Sequence, residues 1–163
     1  MRLAKIMAVV AALVFSVPAA AQALWQNVEL GMSLSQVAAA QPDAVANSNP
    51  GTLNSGASCD LHIEDYVVVG DPFEVCFFFN GGALEQVTLG HRDNPSEPDF
   101  QAIVTALTAR YGQPLVNQPT AIGRTAEWLT DDGVNITVAW ISRYGALLNV
   151  VYQVRISRDA ERL

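Results

Sequence analysis

The sequence predicts an α+β fold, a two-layer sandwich in which tandem αβββ repeats form an antiparallel sheet with the helices on one face. Three observations lead there. Two helices carry their own start and stop signals. The segments after each helix alternate apolar and polar residues and are joined by turns of hairpin length. Finally, the two halves match at an offset of 63 residues, with Gly82-Ala83-Leu84-Glu85-Gln86-Val87-Thr88-Leu89 over Gly145-Ala146-Leu147-Leu148-Asn149-Val150-Val151-Tyr152 and Ser33 over Ser96. The same offset sets Val75 over Val138 and Phe77 over Trp140. The expected division is a signal peptide over 1–23, repeat 1 over 24–90, repeat 2 over 91–157 within one compact domain, and a flexible tail over 158–163.

The first helix is announced by Glu29-Leu30-Gly31-Met32-Ser33-Leu34-Ser35-Gln36-Val37. With Ser33 as N-cap, Gln36 falls at N3. Ser-x-x-Gln is a capping box, in which each side chain satisfies the other residue's backbone N–H. Met32 and Val37 sit at the two positions of a hydrophobic staple, and Pro42 ends the helix after about two turns. The serines beside Gly31 therefore read as punctuation. A nucleophile elbow needs Gly-x-Ser-x-Gly, and Ser35 stands where the second glycine belongs.

The second helix opens at Ser96-Glu97-Pro98-Asp99, a cap followed by a proline in the first turn and an acid at N3. Phe100, Ile103, Val104, Leu107 and Tyr111 then form one apolar stripe. Gly112 is expected to end the helix in a left-handed conformation, with Pro114 barring continuation.

Strands are expected at about 59–66, 73–80 and 84–89, with Asn80-Gly81-Gly82 turning between the last two, and at about 124–130, 134–142 and 146–156. Thr130-Asp131-Asp132-Gly133 has the composition of a short hairpin turn. Asp43–Ser58, rich in Asn, Ser, Gly and Ala, reads as a long exposed and mobile loop.

Arg2 and Lys5, the apolar run Ile6–Val17, Pro18 and Ala21-Gln22-Ala23 have the layout of a secretory leader. The run is shorter than the roughly 20 residues of a membrane span, and no cysteine follows the expected cut to take a lipid. The expectation is a periplasmic or secreted protein, not stably inserted in the membrane once the leader is gone. Of nine basic and sixteen acidic residues, the leader removes two bases and no acid, leaving a net charge of −9 and no lysine. That balance argues against nucleic acid and anionic lipid as partners. Cys59 and Cys76 are the only cysteines, and in an oxidising compartment they are expected to pair as a structural disulfide.

Trp25–Val37, Trp-Gln-Asn-Val-Glu-Leu-Gly-Met-Ser-Leu-Ser-Gln-Val, resembles the opening of the repeat unit in β-lactamase inhibitory proteins and in BamE/SmpA-type envelope proteins. There an aromatic, two apolar positions and Gly-Met-Ser/Thr precede a helix. The tandem repeat, the export leader and a disulfide inside the unit are also similar to the inhibitory proteins. The resemblance implies a protein without enzymatic activity that uses its sheet face and loops to hold another protein. The second copy lacks Gly-Met before Ser96, and the chain has no lipidation cysteine, unlike BamE.

No catalytic constellation emerges. His91-Arg92-Asp93 mimics a kinase catalytic loop, but the glycine-rich loop and the lysine are missing and Pro98 stands where the asparagine belongs. His62 and Glu64 alternate on one strand face with no identifiable third metal ligand, so neither a metal nor a cofactor is expected. In that strand Cys59, Leu61 and Ile63 read as inward, with Asp60, His62, Glu64 and Tyr66 outward. In the other half Asn135 and Thr137 point outward. Carrying that parity to residues 75–78 turns Cys76 and Phe78 outward, whereas bonded cysteines must share a side. Either a bulge resets the alternation, or the strand Phe77-Phe78-Phe79 is apolar on both faces, with Phe78 then exposed or covered by loop 43–58.

These residues define the expected binding face: His62, Glu64, Tyr66, Phe78, Asn135 and Thr137. The expected partner is a protein or cell-envelope component, with the oligomeric state left open. The rival reading is a small-ligand carrier or hydrolase whose pocket lies between sheet and helices, lined by His62, Glu64 or Arg124.

Overall fold

The structure is a computed structural model that describes residues 23–143 and 145–154. The leader up to residue 22 and the tail over 158–163 lie outside the described residues. The chain runs β1 (Ala23–Trp25), β2 (Val28–Glu29), α1 (Leu34–Ala40), β3 (Val45–Ala46), β4 (Ser58–Val68), β5 (Asp71–Asn80), β6 (Ala83–His91), α2 (Glu97–Tyr111), β7 (Val116–Pro119), β8 (Gly123–Leu129), β9 (Val134–Ile141) and β10 (Leu147–Val154). β1 and β2 form a small hairpin. The other strands form one antiparallel sheet in the order β3-β4-β5-β6-β10-β9-β8-β7.

That order reads the same from either edge, in the sense that each flank is built from four sequential strands and the last strands of the two flanks, β6 and β10, meet at the centre. At their contact Thr88 faces Val151, two residues 63 apart. Farther out the spacing changes. Leu89 faces Val75, and Tyr152 faces Ile136, so the ladder relates Val75 to Ile136 and not to Val138. The slip is two residues, which leaves inward and outward parity intact.

The helix boundaries follow from local chemistry. Ser33 N–H donates to Gln36 Oε1 at 2.8 Å, and Gln36 N–H donates to Ser33 Oγ at 3.4 Å, the reciprocal cap read from the sequence. Val37 is fully buried and Met32 packs against the same core. At α2 the Asp99 carboxylate accepts from both the N–H and the hydroxyl of Ser96, each at 2.7 Å. These bonds hold the Asp99 pKa below the ordinary carboxylate value. Gly112 has the expected positive φ of 80°, but its ψ of −166° is extended, not left-handed helical. The difference has a cause: this orientation lets the Gly112 carbonyl accept from Trp128 Nε1 at 2.9 Å.

Both helices lie on one face of the sheet. The core between the layers holds Val37 of α1, Phe100, Ile103, Val104 and Leu107 of α2, and the inward residues of β4–β6 and β8–β10, with Trp128, Phe73, Phe77 and Phe100 the bulkiest fully buried side chains. The β1–β2 hairpin closes this layer through Leu24, Trp25 and Val28. Gln41 ties it to α1, its amide donating to the side chains of Asn27 and Gln26.

Candidate functional site

The face of the sheet opposite the helices carries the candidate surface. A row of cross-strand partners runs straight across it: His62 on β4, Cys76, Thr88, Val151, Thr137 and Glu127 on β8. Gln86 and Asn135 flank this row, and their amides donate to Thr88 Oγ1 at 2.9 Å and to Thr137 Oγ1 at 3.0 Å. These short bonds hold the polar side chains flat along the sheet. From β4 to β8, at about 4.8 Å per strand and 3.3 Å per residue, the face measures roughly 24 by 26 Å.

His62 lies at the β4 end, 12% exposed, between two carboxylates. Its Nδ1–H donates to Glu74 Oε1 at 2.8 Å, and Nε2 lies 3.9 Å from Glu64 Oε1. Among the described residues no cluster of three or more His, Cys, Asp or Glu could hold a metal ion. Of the other residues expected on this face, Glu64, Asn135 and Thr137 lie on it. They do not converge, since His62 and Thr137 occupy one row four strands apart, roughly 19 Å.

Two residues lie on the opposite side of the sheet from the one expected, Tyr66 inward and Cys59 outward, and β-bulges explain both. The β4–β5 register shifts between Ile63 and Tyr66, so Tyr66 pairs with Phe73 and turns into the helix-side layer. There its ring meets Trp25 edge-on at 5.4 Å and its hydroxyl accepts from Gln26 Nε2. A second shift between Cys59 and Leu61 puts Cys59 opposite Phe78 and beside Cys76, on the side away from the helices. Cys59 therefore does not share the face of Leu61 and Ile63. The disulfide forms there across a Cα–Cα distance of 5.6 Å.

Phe78, 8% exposed, is buried in a second small core with Cys59, Cys76, Leu53 and Ala57. Loop 43–58 thus covers the phenylalanine strand, and it is pinned in doing so. β3 pairs with β4, Asn47 N–H donates to Asp60 O at 2.9 Å, and Cys59 N–H donates to Gly51 O at 3.0 Å. The segment is tethered and not the free loop its composition suggests.

One end of the open face carries an apolar tip. The β4–β5 hairpin turns through Val69 and Gly70, with Val67 67% exposed and Val69 54% exposed. Val69 has a φ of +52°, which is costly for a β-branched side chain. Val67, paired with Pro72, projects on the side of Glu74 and His62. The sequence carried a signal for this site, since three valines before a glycine is unusual turn chemistry.

The helix side holds a cleft, but not the one expected. Two adjoining cavities of about 270 and 200 Å³ share Trp25, Gln26, Arg110, Tyr111 and Tyr152. None of His62, Glu64 or Arg124 lines them. Arg124 instead donates to Glu97 at 3.1 Å and lies over the Phe100 ring. His91 is structural as well. Its Nδ1 accepts from Asp93 N–H and its ring meets Phe73 edge-on at 4.9 Å. Arg92 is taken up by Asp65 and the Glu64 carbonyl.

No protein-family model matches the chain, and no match was found among the curated proteins or the solved structures. Among the described residues no helix is long and apolar enough to cross a membrane.

Proposed function

We propose that this chain is an exported binding module without catalytic activity, which holds a partner protein against the open face of its sheet. The observation that carries the reading is the helix-free face itself, which among the described residues is open from His62 to Glu127 except where loop 43–58 covers Phe78 and the disulfide. Its projected area, at most roughly 600 Å² from strand spacings with the covered patch included, is of the order of the about 800 Å² per partner of a standard protein interface. Its carboxylates are Glu64, Glu74 and Glu127, while Arg92 at its margin is already held by Asp65. The partner that fits is a protein with a basic surface, anchored at one end by the apolar tip at Val67 and Val69.

The export leader, a periplasmic or secreted location and descent from a tandem duplication belong to the same proposal. Support for the duplication comes from the palindromic strand order and from Thr88 meeting Val151 at the centre. The opening motif supports a mode of action like that of the inhibitory and envelope families it resembles.

The test is capture from an envelope extract with three immobilised forms: wild type, Thr137→Trp on the open face, and Gln101→Arg on the exposed side of α2. A basic protein held by wild type and Gln101→Arg but lost with Thr137→Trp is the expected result. Equal retention by all three, or loss only with Gln101→Arg, overturns the assignment of the face.

A further inference from the structure

Asn80 closes β5, is exposed, and pairs with Ala83 across a two-residue turn made by Gly81 and Gly82. Their φ angles of +58° and +83° give the turn its type I′ shape. Apart from adjacent residues, nothing lies within 4 Å of where a Cβ would stand on either glycine, so the turn projects clear of the fold. The Asn80 amide donates from Nδ2 to Glu85 Oε2 at 2.8 Å. Just beyond the turn, β6 is tied to the segment that opens α1. Leu84 N–H donates to Met32 O at 2.8 Å, Gly31 N–H donates to Leu84 O at 2.9 Å, and Ala83 forms a bridge with Ser33.

We infer that Asn80 is a site of spontaneous deamidation to isoaspartate, a modification that releases the hold of β6 on Gly31–Ser33. The Gly81 backbone nitrogen attacks Asn80 Cγ. The N–Cγ bond forms, the Cγ–Nδ2 bond breaks, and the proton lost from Gly81 N leaves, through solvent, with the departing ammonia. Water then opens the cyclic imide. Cleavage between Gly81 N and the Asn80 main-chain carbonyl carbon gives isoaspartate, with the chain now running through Cγ; cleavage at Cγ gives aspartate. Ring closure needs a following residue that has an N–H and no bulk, and Asn80 is the one asparagine followed by glycine. Asn49 and Asn94 precede prolines, which have no N–H, while Asn27, Asn135 and Asn149 precede β-branched residues that crowd the nitrogen. Asn80 must leave its extended conformation for the atoms to meet, and an exposed pair at a hairpin end opens at low cost.

Isoaspartate adds a methylene to the main chain at the last pair of the β5–β6 hairpin. A two-residue turn sets register only at its own length, so the pairing of residue 80 with Ala83 is lost. In the aspartate product the main chain is intact, and a carboxylate replaces the amide that donated to Glu85. The main-chain change acts directly on Ala83 and Leu84, the residues that hold Gly31, Met32 and Ser33. The site does not depend on the proposed partner face.

The test is storage of the purified full chain at physiological temperature over a pH series. Beside it stand Asn80→Ser, which has no amide to lose, and freshly prepared Asn80→Asp, which carries the charge on an unaltered main chain. Peptide mapping by mass spectrometry locates the amide-to-acid conversion, and fragmentation tells isoaspartate from aspartate. Hydrogen exchange reads the Leu84 and Gly31 amides. Conversion is expected at Asn80 ahead of every other asparagine, Asn47 and Asn54 before their serines included. Its rate should rise with pH, because Gly81 N–H must lose its proton. Protection at Leu84 and Gly31 should be lost in the isoaspartate fraction and kept in both variants. Conversion first at another asparagine, no conversion at Asn80, or a rate independent of pH overturns the inference. So does unchanged Leu84 and Gly31 protection in the isoaspartate fraction, or equal loss in fresh Asn80→Asp.

Discussion

Replacing Val69 with asparagine is expected to stabilise the protein. The two-residue turn between β4 and β5 has positive φ at both central positions, +52° at Val69 and +96° at Gly70, the type I′ geometry that matches strand twist. Glycine takes that conformation freely. Valine does not, because a left-handed φ presses Cβ against the following carbonyl, at a cost of about 1–2 kcal/mol. Asn-Gly is the favoured pair for this turn, and asparagine recovers most of that cost. Against the gain stands the apolar contact of a side chain that is 54% exposed, at most about 0.5–1 kcal/mol. The net is roughly 0.5–1 kcal/mol of added stability, or about 2–4 °C in Tm for a domain of this size. Thermal unfolding followed by circular dichroism measures it, with Val67→Asn as control, since Val67 is equally apolar but does not have a positive φ. Val69→Asn should raise Tm and also slow hydrogen exchange at the turn amides, and Val67→Asn should do neither. A fall in Tm, or an equal gain from Val67→Asn, refutes the strain argument. If the tip anchors a partner, Val69→Asn should also weaken capture while it stabilises, because strain retained at an exposed apolar position is a mark of function.

Three further outcomes follow from other parts of the fold. Gly123→Ala should cost about 3 kcal/mol in urea unfolding, because a Cβ at that position would sit 1.8 Å from the Trp140 carbonyl oxygen and force β8 away from β9. Cys59→Ala/Cys76→Ala should lower stability by about 3 kcal/mol, the loop-closure value for a 17-residue separation, and reductant should bring wild type down to the same urea midpoint. Asp99→Asn should lose up to about 1 kcal/mol at pH 7, the size of a helix cap at an exposed site. Because Asp99 has a lowered pKa in the folded state, its contribution is complete above the ordinary aspartate value near 3.9 and fades as pH falls through the lowered one. The gap between variant and wild type in a pH series of unfolding midpoints should therefore close in acid.

Elements governed by local chemistry were legible in the sequence. The Ser33–Gln36 cap, the Ser96–Asp99 start and the stripe Phe100–Leu107 need only neighbours three or four residues away, and the structure matches them. The turns at Asn80-Gly81-Gly82 and Thr130–Gly133 are legible for the same reason, and strand ends differ by a few residues at most. Short pairing segments escaped. β3 and β7 contain two and four residues, too few for periodicity to register, and β1–β2 merged into the helix-opening motif. Loop 43–58 reads as mobile because its composition is that of a loop, whereas its order comes from hydrogen bonds to β4 and from Leu53 and Ala57 packing on Phe78.

Sequence by itself therefore determined the two helices, the six long strands, the pairing of Cys59 with Cys76 and the acidic balance of the chain, all properties of nearest neighbours or of composition. Tertiary structure alone decided which face several residues occupy. Two extra residues in β4, one at each bulge, shift side-chain parity, placing Cys59 with Phe78 on one side and Tyr66 with Trp25 on the other, and alternation cannot reveal where such residues are inserted. The cleft belongs to the second category as well. Trp25, Arg110 and Tyr152 meet only because β1, the end of α2 and β10 pack together, and nothing in the local pattern of any of the three segments encodes the others.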